Sequence, residues 1–527
     1  MAAVSKISAP ASASTALALP SNKWLIAVAV MLATIMEVLD TTIANVALLH
    51  IRGSLSADVD EAAWVLTSYI VSNAIVIPLT GWCGSYFGRK RFFNFCILLF
   101  TFSSFMCGCS VNLGMLVFFR VLQGAGGGAL MPMSQAILME TFPPEEQATA
   151  MSVWGTGMMV GPVLGPIVGG WITDNYSWRW IFYINVPIGV IAFLMVTIFV
   201  ADPGYLRRAV KRIDWWGLGY LALGIGTMQI LLDKGERLDW FDSNAIRIMA
   251  AAAAVGIVLF IIQELRTNEP IVDLSVLKNR TFAIGVAFMA IVMFGMYGTM
   301  VLIPLYCQTD AGYTPLLAGY VMTTQSIGSF LSIIVAGRLY NKIDPRLLIA
   351  VGCVISGYGV WQMAHFNAQI GFWGIAGPGF LRGIGTGLIF IPITTLSLGA
   401  VSREQMGTAS GLFNMVRTIG GSVGIAILVA MLSSHAQIHQ SYLNNDINPL
   451  TLGNWERTQA ISGYLAQMGP GNHQMSLMAM LYQQVQHQAS ILAYLDDFRL
   501  IAYIFYALTP VAFIMRRSKR AVAISAH

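Results

Sequence analysis

The chain has 527 residues, of which 56% are hydrophobic and only 10% are charged. Soluble proteins carry roughly 25% charged residues, and a soluble fold could not bury this much apolar surface. The composition therefore excludes a soluble protein and predicts an all-α polytopic membrane protein. The net charge of +5 is informative only through where the charges lie along the chain.

Windows of about 20 apolar residues, the length that crosses a bilayer, predict fourteen membrane spans. These spans are 24–49, 62–83, 92–110, 113–136, 149–171, 180–201, 215–232, 245–263, 281–307, 315–336, 347–364, 372–396, 408–433 and 490–515. An even number places both termini on one side of the membrane. Lys and Arg concentrate in the segments on that side, which predicts cytoplasmic termini.

Two halves of the chain repeat each other at an offset near 260 residues. Arg120-Val121-Leu122-Gln123-Gly124 is echoed by Arg382-Gly383-Ile384-Gly385, and Gly161 and Gly165 are echoed by Gly420 and Gly424. A duplicated half with a site between the copies is common among secondary transporters. We therefore expect a tail at 1–23, a six-helix bundle at 24–201, two linker helices within 202–280, a second six-helix bundle at 281–515 and a tail at 516–527.

The second bundle contains a long outer segment, 434–489, that is rich in Gln, His and Asn. Outer connections elsewhere are short, and long loops are often functional. The segment is either a solvated excursion or a docking surface for another protein. Its last part, Gln474 to Gln488, is compatible with a helix.

Glu37 and Asp40 lie one helical turn apart within the first span and share a face. A carboxylate inside a membrane costs roughly 2.5–3.5 kcal/mol on insertion scales, so two of them predict a functional site. Asp40 could instead organise hydrogen bonds with the threonines that follow it. Glu37 is either a second proton or drug-cation site or a residue of an outer aqueous vestibule.

Arg120 in the fourth span is the expected partner of Asp40. At 1.5 Å per residue, Asp40 lies roughly 13 Å and Arg120 roughly 10 Å below the outer surface. An ion pair between them would remove most of the cost of either charge. A proton and a cationic drug would then compete for the Asp40 carboxylate, which is the simplest physical basis for antiport.

Four further polar residues are candidates for a secondary site. Arg382 is the repeat counterpart of Arg120, and Arg417 lies about nine residues in from the cytoplasmic side. Asn45 and Gln123 lie near Asp40 and Arg120 along the sequence. For each arginine a structural role, such as contacts to helix-terminal carbonyls, remains an alternative.

A gating or packing role is predicted for two glycine-rich segments. Gly161, Gly165 and Gly169 recur every four residues, which allows another helix to approach closely, while Pro162 and Pro166 permit bending; Gly170 completes this segment. The turn that follows the second span contains Gly81, Gly88, Arg89 and Lys90. Its basic residues follow the positive-inside bias or act as a latch.

These motifs together resemble the major facilitator superfamily. Gly161-Pro162-Val163-Leu164-Gly165-Pro166 matches the signature of its drug:proton antiporters, and fourteen spans match their larger branch, which includes EmrB-type pumps. The resemblance implies export of hydrophobic or cationic drugs in exchange for protons, together with a periplasmic adaptor of EmrA type and an outer-membrane channel of TolC type. Ser85 and Asn341 depart from the family, which usually has an acid in the basic turn, and Glu37 replaces a common Gln.

The sequence thus predicts a proton-coupled multidrug exporter with the major facilitator fold, two six-helix bundles and two extra central helices. We expect no enzyme activity, no cofactor, no metal site and no nucleic-acid partner. The six cysteines have no metal-binding spacing. The alternatives are an exporter of an endogenous metabolite, such as a siderophore or a fatty acid, and a membrane sensor or scaffold that does not transport.

Overall fold

The computed structural model describes residues 22–202, 214–267, 270–367, 369–446 and 473–515. Within these ranges, 14 helical segments are long and apolar enough to cross a membrane. This confirms the predicted fold class. Most of both terminal tails and the middle of the predicted outer segment fall outside the described residues.

The N-terminal bundle contains six of these segments, several of which are built from two helices. Its helices are α1 Lys23–Leu55, α2 Val59–Val76, α3 Thr80–Phe87, α4 Arg89–Gly108, α5 Leu113–Gly127, α6 Leu130–Thr141, α7 Gln147–Met158, α8 Val160–Asn175, α9 Trp180–Tyr183 and α10 Asn185–Phe199. The fifth span breaks at Met159, three residues before Pro162. A proline has no N–H to donate to the carbonyl one turn earlier, and this weakens the helix at that point.

Two linker helices follow, α11 Trp215–Lys234 and α12 Asn244–Arg266. Asp214 caps α11 by accepting a hydrogen bond from the Gly217 N–H at 2.9 Å, and Gln263 and Thr267 at the end of α12 also donate to it. Burial opposes the charge of this carboxylate, but the hydrogen bonds dominate and lower the pKa of Asp214. The cap therefore ties the two linker helices together.

The C-terminal bundle contains six long helices. They are α13 Arg280–Thr309, α14 Pro315–Leu339, α15 Pro345–Met363, α16 Phe372–Leu398, α17 Met406–Asp446 and α18 His473–Val511. Asn279 and Asp344 cap α13 and α15 through their side chains, and Pro345 begins α15, where a missing N–H carries no penalty.

Helices α17 and α18 are longer than the sequence predicts. With 41 and 39 residues, each is about 60 Å long, against a hydrocarbon core of about 30 Å. Within the expected loop 434–489, residues 434–446 are helical, and the expectation of a loop is wrong there. The helix expected at Gln474 to Gln488 is confirmed.

We call the end of the bundles that carries Lys23, Arg89, Glu146 and Asn341 the basic face, and the other end the opposite face. Lys23 forms an ion pair with Glu146 there, and the Asn341 side chain donates to the Glu145 carbonyl across the two bundles. α17 and α18 run beyond the bundles at the opposite face.

The two bundles are in contact on the basic-face side. Ser410 donates to the Pro132 carbonyl at 2.8 Å, Asn414 donates to Gln135 at 2.6 Å, and Ser152 donates to the Ile333 carbonyl at 2.7 Å. The bundles approach so closely that a Cβ on Gly81 would lie 2.5 Å from the Thr408 backbone. Polar pairs and glycine therefore bring α3, α6 and α7 against α14 and α17.

Candidate functional site

The centre of the candidate site is an ion pair in the interior of the N-terminal bundle. Arg120 Nη1 donates to Asp40 Oδ2 at 2.6 Å, and both side chains are 1% exposed. The structure thus places the two residues in direct contact. Burial of both charges is tolerated because each compensates the other.

Two amides complete the coordination of Asp40. Gln123 Nε2 and Asn185 Nδ2 each donate to Asp40 Oδ1 at 2.8 Å, and Gln123 Oε1 accepts from Arg120 at 2.9 Å. Asn185 also donates to Ser104 at 3.0 Å. Gln123, predicted for a secondary site, therefore belongs to the Asp40 cluster, which we define as Asp40, Arg120, Gln123 and Asn185.

The Arg120 side chain has further partners that hold it in place. Its Nε donates to the Val65 carbonyl at 2.9 Å, and its guanidinium lies 4.2 Å from the centre of the Tyr69 ring and 5.8 Å from that of Phe182. These ring contacts stabilise the cation even without a carboxylate. A proton on Asp40 would therefore weaken one bond of Arg120 without releasing the residue entirely.

Glu37 lies on the side of α1 that faces the junction of the two bundles. Its Oε1 accepts from Asn73 at 3.1 Å, while its Oε2 is buried without a hydrogen-bond partner. The side chain is 6% exposed. The Arg417 guanidinium of the C-terminal bundle and the Asp40 carboxylate both act on it electrostatically. Glu37 is thus close to the Asp40 cluster but not part of it.

The remaining polar candidates are dispersed. Arg382 is fully buried within the C-terminal bundle, and its one described hydrogen bond is a long one of 3.4 Å to the Met296 carbonyl. Arg417 lies at the junction between bundles. Asn45 is exposed and donates to the Thr41 carbonyl of its own helix at 2.9 Å, so the structure does not bring it to the cluster.

The glycines of α8 pack against α1 directly beside Asp40. A Cβ on Gly161 would lie 2.4 Å from Val38, and one on Gly165 would lie 2.2 Å from Thr42. At Gly169 the nearest atom would belong to Ile43 at 3.1 Å, whereas Gly170 faces open space. Three of the four glycines therefore allow the close packing of α8 against α1, which carries Asp40. Pro162 and Pro166 also belong to α8.

The basic turn is held within the N-terminal bundle. Arg89 forms an ion pair with Glu140, and the Lys90 N–H donates to Asp202 at 2.8 Å. Gly88 has a positive φ of 89°, which favours glycine. Ser85, where the family usually has an acid, donates to the carbonyl of Trp82. The basic residues of the turn are thus bonded to Glu140 and Asp202 rather than to a carboxylate at position 85.

The sequence interpretation missed two sets of residues. Asn185 stands alone as a polar residue in an apolar run, and Asp497 is a carboxylate in the last span; both signals are visible in the sequence. Asp497 is fully buried, and neither carboxylate oxygen has a hydrogen-bond partner. Its neighbour Asp496 contacts His439 at 2.7 Å on the α17 helix extension, whose length was not predicted.

Comparison with known proteins agrees with this architecture. Residues 30–425 match the Major Facilitator Superfamily. The chain belongs to this superfamily. It is 38% identical over 484 residues to the multidrug export protein EmrB of Escherichia coli K12. The aligned region covers 91% of this chain and 93% of that protein.

One further relative and one solved structure are also similar to this chain. The fatty acid resistance protein FarB of Neisseria gonorrhoeae is 35% identical to this chain. The aligned region covers 92% of this chain and 94% of FarB. The crystal structure of the human organic anion transporter MFSD10 (TETRAN) superposes with a TM-score of 0.58 over 92% of this chain and 99% of that one, at 11% identity. The latter likeness concerns the fold alone. The chain is accordingly a multi-pass membrane protein of a transporter superfamily.

Proposed function

We propose that this chain is a proton-coupled multidrug exporter that works by alternating access between its two bundles. Relatives named as multidrug export proteins support the drug substrates. The observation that carries the proposed coupling is the buried Asp40–Arg120 ion pair with its two amide donors. A static scaffold has no need of such charges within a membrane, where they usually mark transport pathways.

The proposed cycle exchanges a proton for a drug. A proton on Asp40 removes the negative charge that holds Arg120, and the Arg120 side chain shifts toward Tyr69 and Phe182. The two bundles then rearrange. A hydrophobic or cationic drug then enters from the side of the membrane to which the site has opened. The drug favours the charged form of Asp40, and the proton leaves. Glu37 is the second group that could exchange a proton for a drug cation.

The orientation follows from the positive-inside bias. We place the protein in the bacterial inner membrane with both termini and the basic face in the cytoplasm. The described conformation, with the bundles joined near Ser410 and Asn414, is then closed toward the cytoplasm.

Drug-driven proton release from purified protein tests the coupling. We expect wild type to release protons on drug addition, Asp40→Asn to abolish this release and Glu37→Gln to reduce it. Glu264→Gln is the matched control, because Glu264 is a buried acid of the linker helix α12 far from the Asp40 cluster in the fold. Normal release from both Asp40→Asn and Glu37→Gln would contradict the assignment.

We further propose a tripartite assembly with an adaptor of EmrA type and a channel of TolC type, as the resemblance implies. The projecting parts of α17 and α18 are the proposed docking surface, where Ile438, Tyr442 and Tyr482 are exposed. Replacing all three by Gln should abolish co-purification of the adaptor while drug binding persists. The matched control replaces Leu316, an exposed residue of α14. Retained co-purification of the adaptor with the triple variant would disprove the docking surface.

A second candidate function is export of a fatty acid, favoured by the similarity to FarB. Competition decides between the two: if a long-chain fatty acid displaces bound drug and drives equal proton release, the substrate range includes both. If only the fatty acid drives release, the drug exporter assignment is wrong.

A further inference from the structure

Two buried charges of opposite sign face the junction of the bundles from opposite sides, and neither is fully bonded. Glu37 of α1 has an unpartnered Oε2, and Arg417 of α17 has unpartnered Nε and Nη1 atoms. The two side chains are 6% and 4% exposed. They are close enough to interact electrostatically, yet no direct ion pair joins them among the described contacts.

Met131 of α6 lies between these charges. Its sulfur accepts from Arg417 Nη2 at 3.0 Å, and its backbone N–H lies near the Glu37 carboxylate. A thioether is a weak acceptor, so it compensates a guanidinium poorly. Asn73 supplies the one described side-chain donor to Glu37. Both charges therefore retain unused bonding capacity at the junction of the bundles.

An aromatic pair lies beside Arg417 on the basic-face side. Trp154 and Phe390 stack at 6.4 Å with an interplanar angle of 12°, and the Arg417 guanidinium lies 5.9 Å from the centre of the Phe390 ring. Trp154 donates to Thr34 at 3.1 Å, one turn from Glu37 toward the basic face. The described hydrogen bonds between the bundles also lie on that side, which leaves the approach from the opposite face.

We propose that this junction site, formed by Glu37, Asn73, Met131, Trp154, Phe390 and Arg417, binds amphiphilic zwitterions. Glu37 takes the cationic amine of the ligand, Arg417 takes its carboxylate, and Trp154 and Phe390 contact its aromatic body. This inference rests on the proposed function and names the preferred substrate class of the exporter.

The charge balance of the site explains the preference. A simple cation bound to Glu37 leaves the Arg417 charge buried without its opposite, and a simple anion on Arg417 leaves Glu37 without a cationic partner. Uncompensated buried charges are strongly unfavourable. A zwitterion satisfies both groups through charge-assisted hydrogen bonds, and its apolar body gains from the rings and the thioether.

The test compares three molecules that share one aromatic body and differ in charge and in one small blocking group: an (aminomethyl)naphthoic acid, its methyl ester and its N-acetyl derivative. The first is a zwitterion, the second a cation and the third an anion. Affinities for the purified full chain are measured by calorimetry. We expect the zwitterion to bind about tenfold tighter than either single-charge analogue, the difference of one charge-assisted interaction.

Single variants assign each charge. Glu37→Gln should remove the advantage of the zwitterion over the N-acetyl derivative but keep its advantage over the ester, and Arg417→Gln should do the reverse. If a single variant does not fold, the double variant Glu37→Gln/Arg417→Gln, which is neutral overall, should bind all three molecules with similar affinity. Arg382→Gln is the control and should keep the wild-type order.

Two outcomes overturn the inference: a zwitterion that binds wild type no tighter than the ester, or a Glu37→Gln variant that weakens all three molecules equally. Proton release separates this failure from that of the proposed function. If the ester drives release and the zwitterion has no advantage, the exporter stands and the substrate class is wrong. If the charge preference is present but no molecule drives release, the junction site stands and the coupling is wrong.

Discussion

Arg120 and Arg382 occupy equivalent positions of the internal repeat, yet their surroundings differ. Arg120 contacts Asp40, Gln123, the Val65 carbonyl and an aromatic ring. Arg382 is just as deeply buried, but its Nε and Nη2 have no hydrogen-bond partner. The duplication therefore preserves the helical framework and the arginine, whereas the carboxylate that would compensate it is present in the N-terminal bundle alone among the described contacts.

This difference indicates that the two bundles have different roles in the response to protons. A charge with a titratable partner can respond to a proton, and of these two arginines Arg120 has such a partner in hydrogen-bond contact, whereas Arg382 has none among the described contacts. In the C-terminal bundle the most deeply buried described acid is Asp497, whose carboxylate oxygens also lack partners. We therefore expect stability and coupling to respond to substitution very differently in the two halves.

The largest effect should come from breaking the N-terminal pair. Asp40→Asn leaves the Arg120 charge buried without its counter-ion, and removal of one partner of a buried pair typically costs about 3–5 kcal/mol. We expect a large drop in the thermal unfolding temperature of purified protein. The double variant Asp40→Asn/Arg120→Gln should recover much of this loss, because no charge remains. Equal stability of Asp40→Asn and wild type would show that the pair does not compensate its two charges.

Arg382→Met should change the free energy of unfolding in the opposite direction to Arg120→Met. At Arg382 the substitution removes an uncompensated buried charge and keeps an unbranched apolar chain, so we expect stability to rise by about 1–3 kcal/mol. At Arg120 the same change leaves Asp40 unpaired and should destabilise. Thermal unfolding of both variants under identical conditions measures the contrast. A destabilised Arg382→Met would indicate that Arg382 has a partner role comparable to that of Arg120.

Much of the fold and part of the site could be predicted from the sequence, for physical reasons. Apolar length fixes the spans, and the costs of charge in a membrane single out Asp40 and Arg120. Asn185 was not singled out because a lone amide carries no such cost. The full lengths of α17 and α18 were not predicted either, since a polar helix beyond the bilayer has no hydropathy signal.

The glycines of the fifth span and their repeat counterparts provide a third contrast. Gly165 would place a Cβ against the Thr42 side chain, whereas its counterpart Gly424 would place one 2.3 Å from the carbonyl oxygen of Phe294. A side chain can rotate away and a backbone cannot. We expect Gly424→Ala to destabilise by about 1–3 kcal/mol and Gly165→Ala by less, as measured by thermal unfolding. An equal loss at both positions would show that α1 cannot adjust at Thr42.

The smallest effect should occur at Gly170, one residue beyond the packed stripe. A Cβ there meets no atom within 4 Å, and at the same offset the C-terminal bundle has Val429, which already carries a side chain. Alanine in a helix is preferred over glycine by roughly 0.5–1 kcal/mol, so Gly170→Ala should raise stability slightly without altering drug-driven proton release. Gly161→Ala, which meets Val38, serves as the destabilised reference in the same unfolding measurement. If Gly170→Ala lowers stability or proton release, this face of α8 packs against another element in a second conformation, and the glycine stripe extends to four residues in the N-terminal bundle.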